Sequence, residues 1–542
     1  MITKTCAVNS APLTPISFLL RAGRFFAGRP AIIYGNQQMT YGQLKCRVGR
    51  LARALKDRGV RAGDCVAVMA PNIPQTLEAH YAIPLIGAAI IPLNLKLDAS
   101  TIGSCLQHAN CRLAICDRQY LTTMNEATAV ARVDIPIVVI NDNGVDSQFV
   151  REDTDYEDFI ANAGGCDDDP EIEEETQLLS LLYTSGTTAN PKAVSYVHRG
   201  AYLAAVSNAM SFNLDHNSVY LWTWPMFHSH GLSFVWAVTA VGGTHVCLRE
   251  VDVPAVCDLI KLHRVSHFCV VPTVMNTLAA YLAESNAIPE ASQPSAHRAP
   301  VKCIVGGAAP AATAISQLEK AGIEVIHQYG STECYGPVTV CWRRHTWEEM
   351  SIEERYSLTS KQGTPAPAVD DLRVAKIDSV DPVPMDGNTT GEVLVRGNTV
   401  MQGYFADEEA TRSAMSDDWY RTGDIATWHP DGTIEIKDRS ADLIVSAGKR
   451  ISSVEIDDVL HEHPAVLDAA VVAKPDVDCG EVPYAFVSLQ PGRSAGRPEL
   501  EDFCRARLAD YMIPRGFEFC ELPKTATGKI KKSELRKLAA RL

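Results

Sequence analysis

The 542-residue chain has no pair of cysteines at CxxC spacing, no excess of positive charge, no bilayer-length apolar run and no repeat of fixed period. Each absence removes a class of function. The 16 cysteines are scattered, and Cys105, Cys111 and Cys116 lack zinc-ligand spacing, so they read as small buried apolar residues in a reducing compartment. A formal charge of −15 repels backbone phosphates at long range and argues against a nucleic-acid partner. The longest apolar stretch, Tyr81 to Leu93, contains Pro84 and Pro92 and is too short to span a membrane. The N-terminus lacks a basic segment followed by an apolar core, so a soluble protein without a secretory signal is expected. The Walker spacing of two glycines before Lys-Ser/Thr is missing as well.

What is present points to an alternating α/β protein too long for one core, with a large domain and at least one smaller one. Thr40 and Gln43 form a capping box, and Leu44, Val48, Leu51 and Leu55 follow at helical spacing until Gly59. Cys65 to Ala70 reads as a buried strand. The acidic run Asp167 to Glu175 reads as a solvated loop leading into the apolar strand Leu178 to Tyr183.

That strand runs into Leu182-Tyr-Thr-Ser-Gly-Thr-Thr-Ala-Asn-Pro-Lys-Ala-Val194. Thr184, Ser185, Thr187 and Thr188 surround Gly186, and Lys192 follows, a combination of hydroxyls, backbone N–H groups and an ammonium suited to a polyphosphate. Pro225-Met-Phe-His-Ser-His-Gly231 carries two histidines, too few for a metal site. Val301 to Val305 reads as a strand ending at Gly306-Gly-Ala-Ala-Pro310, and Val325 to Gln328 leads similarly into Tyr329-Gly-Ser-Thr-Glu333. Two such loops at strand ends form one crevice. Further on, Tyr420-Arg-Thr-Gly-Asp424 is expected to present a carboxylate after a tight turn. Ser452-Ser-Val-Glu455 signals a second capping box, Val466 to Val472 and Val482 to Leu489 read as strands alternating with helices, and Pro523-Lys-Thr-Ala-Thr-Gly-Lys529 lies near the end.

These motifs, in this order over nearly the whole chain, resemble those of the adenylate-forming superfamily of acyl-CoA synthetases, adenylation domains and beetle luciferases. Within it, Trp222-Thr-Trp-Pro-Met-Phe-His228 and Tyr335-Gly-Pro-Val-Thr-Val340 look most like short- to medium-chain acyl-activating enzymes of plants and fungi. The resemblance implies a large N-terminal domain of stacked α/β sheets with a small β-barrel-like subdomain, residues 1–438. It also implies a small mobile α+β C-terminal domain, residues 439–542. The implied reaction joins a carboxylic acid to AMP from Mg-ATP and passes the acyl group to CoA, in fatty-acid or specialised metabolism.

By the same resemblance, Thr184, Ser185, Gly186, Thr187, Thr188 and Lys192 bind the phosphates, and His228 positions the substrate. His230 has no assignment. Gly307 and Ala308 allow close approach of the base beside Gln328, Tyr329 stacks on adenine next to Gly330, and Thr332 lies near the α-phosphate. Glu333 is the magnesium ligand, since a hard cation prefers oxygen. Asp424 accepts from the ribose hydroxyls, and Arg439 reaches the ribose or phosphate. Ala447 and Gly448 border the pantetheine path, where Gly448 serves by having no side chain. Lys529 bridges acyl carboxylate and α-phosphate.

Three positions depart from the family pattern: Ala189 and Ala193 replace usual glycines, and Ala441 stands where the hinge residue is normally Asp or Lys. Alanine at positive φ would cost about 1–2 kcal/mol, so Ala189 and Ala193 are expected in ordinary backbone regions. Ala540-Arg-Leu542 resembles a peroxisomal address, which implies an import receptor and the peroxisomal matrix, with the cytoplasm as the alternative. Transfer to a carrier-protein thiol, luciferase-like oxidation and a noncatalytic acyl-adenylate binder stay open as alternatives, as do the acid's identity and the oligomeric state.

Overall fold

The computed structural model describes residues 11–142, 154–164, 170–184, 192–285, 300–524 and 530–542. Two compact units emerge, residues 1–371 with 396–418 and residues 372–395 with 419–542. Among the described residues no helix is long and apolar enough to cross a membrane.

The first unit holds two sheets. One orders its strands 154–155, 137–140, 111–117, 65–69, 89–92, 178–184 and 192–197. Its inner strands are parallel, and Cys65–Met69 is buried along its length, as a strand covered on both faces must be. The last pair, Leu178–Thr184 with Lys192–Val197, is antiparallel, which places Thr184 opposite Lys192. Ala193 sits in this strand with ordinary φ, as expected. Ala189 lies outside the described residues.

The second sheet runs 364–365, 336–340, 323–331, 301–305, 267–270, 219–221, 244–246, 30–34 and 37–40. Its central strands are parallel, so their C-terminal ends open on one edge. Around it, helix Tyr41–Asp57 begins with the complete Thr40/Gln43 capping box and buries Leu44, Val48, Leu51 and Leu55. Each of these side chains contributes about 1.5–3 kcal/mol, so this stripe fixes the helix face. Gly59 follows at φ +86, a left-handed stop favourable to glycine.

The second unit contains strands Asp371–Ala375, Thr390–Arg396, Trp419–Trp428 and Ile434–Arg439, followed by a smaller α+β layer. Val466–Asp476 and Gly480–Leu489 pair antiparallel over ten register positions. They form one hairpin with no helix between them, contrary to the alternation expected, because Asp476 caps the tight reversal by accepting from Asp478 N at 3.0 Å and Cys479 N at 2.9 Å. Helix Ser453–His461 packs Ile456 and Leu460 on this hairpin, and Ser452 Oγ caps it by accepting from Glu455 N at 3.2 Å.

Candidate active site

In the first unit, the strand end at Thr184, the antiparallel strand start at Lys192 and the segments carrying His228, Thr332 and Glu333 lie near one another. Tyr329 to Ser331 continues strand Ile323–Ser331, so only Thr332–Cys334 forms the turn expected for the whole motif. The reason is pairing: Tyr329 and Ser331 have register partners Thr339 and Gly336, which hold the backbone extended. Tyr183, Phe227, His228, Ser229 and Thr332 line one narrow cleft of about 30 Å³ with Leu182, Pro92 and Asn94.

Thr332 is held from two sides. Ser229 Oγ lies 3.2 Å from Thr332 Oγ1, and Tyr196 OH donates to the Thr332 carbonyl at 2.6 Å. Glu333 accepts a hydrogen bond from Tyr404 OH at 3.1 Å on Oε1, while its carbonyl accepts from Met401 N at 2.7 Å. The Lys192 ammonium sits 4.7 Å from the centroid of the same Tyr404 ring. One tyrosine therefore spaces the carboxylate and the ammonium, whose direct pairing would remove both from ligand binding. Ser185, Gly186, Thr187 and Thr188 lie outside the described residues.

Residues 229–233 all have positive φ, from +46 to +64, a left-handed turn directly after His228. Such backbone costs about 1–2 kcal/mol per non-glycine residue and persists only where surroundings enforce it. Here Asn208 Nδ2 donates to Leu232 O at 2.6 Å, Ser233 Oγ donates to Tyr335 O at 2.7 Å, and His230 Nε2 lies 2.8 Å from Ser180 Oγ. His230 is fully buried, and desolvation followed by the nearby His80 pushes its pKa well down, so it is a neutral prop of the turn.

The Gly306–Pro310 loop follows strand Val301–Val305, with Gly307 exposed at φ +90. Gln328 packs its amide where a side chain on Gly306 would lie, and its buried Oε1 has no partner among the described residues. An orphaned buried acceptor requires a donor, so this spot fits the amino group of a base. Ala308 is exposed beside it, and Tyr329 and Gly330 are half-buried.

In the second unit, Asp424 lies inside the ten-residue strand Trp419–Trp428 rather than after a tight turn. The expected turn is a bulge. Pairing slips between Glu392 and Leu394, Gly423 takes φ +73, and Thr422 Oγ1 donates to Val393 O at 2.8 Å. The bulge leaves Asp424 directly opposite Arg439, whose Nε approaches Asp424 Oδ1 at 3.2 Å. Asp424 is buried and Arg439 half-exposed. Ala447 and Gly448 form the two-residue loop between strands Ile444–Ser446 and Lys449–Ile451, with φ +47 and +76. Both are exposed, and the space a Gly448 side chain would enter is open. Lys529 lies outside the described residues. The Glu333 carboxylate is an oxygen donor of the type magnesium takes.

Sequence reasoning missed Tyr404, Tyr196, Ser229 as a partner of Thr332, and the role of His230. Ser229 was visible between two histidines, but Tyr404 and Tyr196 act through contacts 71 and 136 residues distant, which no spacing encodes.

In the first unit, mostly parallel sheets whose strand ends carry hydroxyls, an ammonium and the Glu333 carboxylate have the make-up of a nucleotide-binding enzyme. The AMP-binding enzyme model matches residues 19–405 and its C-terminal domain model matches residues 455–529. The chain belongs to the AMP-binding enzyme family. It is 39% identical to an acetate–CoA ligase of Humulus lupulus, covering 98% of this chain and 95% of that one. It is 37% identical to the peroxisomal benzoate–CoA ligase of Arabidopsis thaliana, over 98% of this chain and 94% of the other. It is 38% identical to the peroxisomal acetate/butyrate–CoA ligase of the same plant, over 97% and 95%. Among solved structures, the o-succinylbenzoate CoA synthetase of Bacillus subtilis with AMP has a TM-score of 0.81 at 25% identity, over 97% and 98% of the two chains.

Proposed function

We propose that the protein is an ATP-dependent acyl-CoA ligase. A carboxylate oxygen bonds the α-phosphorus as pyrophosphate leaves, and the CoA sulfur then bonds the acyl carbon as AMP leaves and the thiol proton passes to solvent. The cleft in which His228, Ser229, Tyr183 and Thr332 meet is the observation that carries this reading, because it gathers hydroxyl groups and an imidazole where the two sheets' loops face each other. Relatives named as CoA ligases over nearly their whole length support CoA as the acceptor.

In this reading Thr184 and Lys192, with Ser185, Gly186, Thr187 and Thr188, hold the phosphates. Gln328, Tyr329, Gly330, Gly307 and Ala308 receive the base. Asp424 and Arg439 bind ribose, Gly448 and Ala447 border the thiol, and Lys529 balances charge at the α-phosphate. Glu333 would hold magnesium, which supplies charge neutralisation on the phosphate oxygens. A mobile C-terminal domain beginning at residue 439 belongs to the same proposal.

The test is acid-dependent pyrophosphate release and CoA-dependent AMP release across a panel of acids. Pyrophosphate release without CoA-dependent AMP would favour a carrier-protein acceptor, and no acid-dependent release would favour a noncatalytic binder. A peroxisomal location and an import receptor are proposed from the relatives named as peroxisomal. A fluorescent fusion altered at Ala540-Arg541-Leu542 should turn from punctate to diffuse, and unchanged puncta would remove this segment from the address.

A further inference from the structure

Three neighbouring parallel strands, Val219–Leu221, His267–Val270 and Val301–Val305, each deliver one residue to the same point just past their C-terminal ends. These are Trp224, Val271 and Gly307. A Cβ built on Gly307 would lie 3.9 Å from Trp224 Cη2 and 4.0 Å from Val271 Cγ1. On its other side, the Trp224 ring centroid is 5.5 Å from that of His228, and Nε1 donates to the His228 carbonyl at 3.3 Å. The indole therefore extends from His228 to Gly307, filling the sheet edge next to the cleft.

It is also held firmly. Buried Asn72 donates from Nδ2 to the carbonyls of Trp222 at 3.2 Å and Trp224 at 3.0 Å, and its Oδ1 accepts from Met226 N at 2.8 Å. Between the two tryptophans, Thr223 Oγ1 donates to Cys269 O at 2.7 Å. Trp224 is only 3% exposed, so swinging it aside would break its N–H bond and expose a large apolar surface.

We propose that Trp224 is a specificity-determining residue that closes the acyl pocket and restricts this enzyme to short aliphatic acids. The inference rests on the acyl-CoA ligase reading and on His228 bordering the acid. The relatives' names include acetate, butyrate and benzoate, so similarity alone does not choose among these acids. The indole bears on the choice: fixed between His228 and Gly307, it occupies the space that a ring or an extended chain beside His228 would need.

The experiment compares kcat/KM for acetate, butyrate, hexanoate, octanoate and benzoate in the wild type, Trp224→Leu and Trp224→Phe, with Mg-ATP and CoA. The wild type should fall at least ~10-fold between butyrate and octanoate, since even single methylenes discriminate by about 10-fold or more in a closed pocket. Trp224→Leu should shift the octanoate-to-acetate ratio upward by a similar factor, and Trp224→Phe should keep the short-acid preference. A purely structural role would depress every acid alike and leave the ratio unchanged. Wild type that used octanoate or benzoate as well as butyrate would overturn the proposal even if Trp224→Leu failed to fold, as would a folded Leu variant with an unchanged ratio. If no acid were turned over, the ligase reading would fail. Calorimetric binding of acyl-sulfamoyl adenosines of the same chain lengths would still decide the pocket, with equal affinity for all lengths counting against it.

Discussion

Replacing Gly448 separates two reasons for a glycine that the hairpin loop combines. Its φ of +76 makes any L-residue with an ordinary Cβ unfavourable, whereas the space beside it is open and offers no steric objection. Gly448→Ala should therefore destabilise the second unit by about 1–2 kcal/mol through backbone strain alone. For a unit of this size that lowers Tm by about 2–4 °C per kcal/mol. Gly448→Asn should lose less, because asparagine tolerates the left-handed region by bonding its own backbone. The two variants differ in strain but both put atoms where the pantetheine thiol is proposed to pass. Thermal melts should rank wild type, Asn, then Ala. Single-turnover thioester formation from synthetic acyl-adenylate should fall in both, and pyrophosphate release should stay near wild type. Equal melting losses for Asn and Ala would refute positive φ as the reason for glycine, and normal thioester formation in both would refute the thiol path.

Glu333→Gln should lower adenylation by roughly 10²-fold, the scale of a lost transition-state electrostatic contact, with less effect on acid binding; unchanged turnover at limiting magnesium would exclude it. Lys529→Ala should suppress pyrophosphate release by a comparable ~10²-fold while preformed acyl-adenylate still reacts with CoA; equal loss in both steps would remove the division of labour. Asp457 is buried against the Lys532 ammonium at 2.7 Å, and desolvation outweighs that partner, raising its carboxyl to about 6. A raised carboxyl binds more protons folded than unfolded, so the second unit should lose stability as pH rises from about 4 to about 6. The difference in stability between wild type and Asp457→Asn should change across that window in urea titrations, and a constant difference would contradict the burial argument.

The strand and helix signals were legible where one physical cause dominated. Thr40 and Gln43 announced their helix through reciprocal capping, and Cys65–Met69 announced a doubly covered strand through unbroken apolarity. Asp424 was recognisable as a candidate ligand, but its setting was not, because Gly423 serves a bulge as readily as a turn and only cross-strand pairing with Glu392 and Leu394 decides between them. The hairpin of Val466–Asp476 and Gly480–Leu489 was missed for a related reason: its reversal is made by Asp476 accepting from the backbone, a side-chain role that hydrophobic patterning does not register. Tyr404 belongs to a third kind, whose meaning comes from a long-range neighbour, and Trp224 owes its setting to distant Asn72 and Gly307 as well as to nearby His228.

The left-handed turn at residues 229–233 bears on how this protein diversifies. Valine, isoleucine or threonine at 229, 230, 232 or 233 would add a β-branched clash to backbone already outside its ordinary range, and a side chain at Gly231 would run into Trp222. The segment touching Thr332 is thus closed to gradual drift. Phe227, which lines the cleft, and Trp224, packed on His228, are on ordinary backbone and carry no such restriction. If His228 and Trp224 border the acid as proposed, new acid preferences are accessible through single changes in the short stretch before His228, with the stretch after it inherited intact.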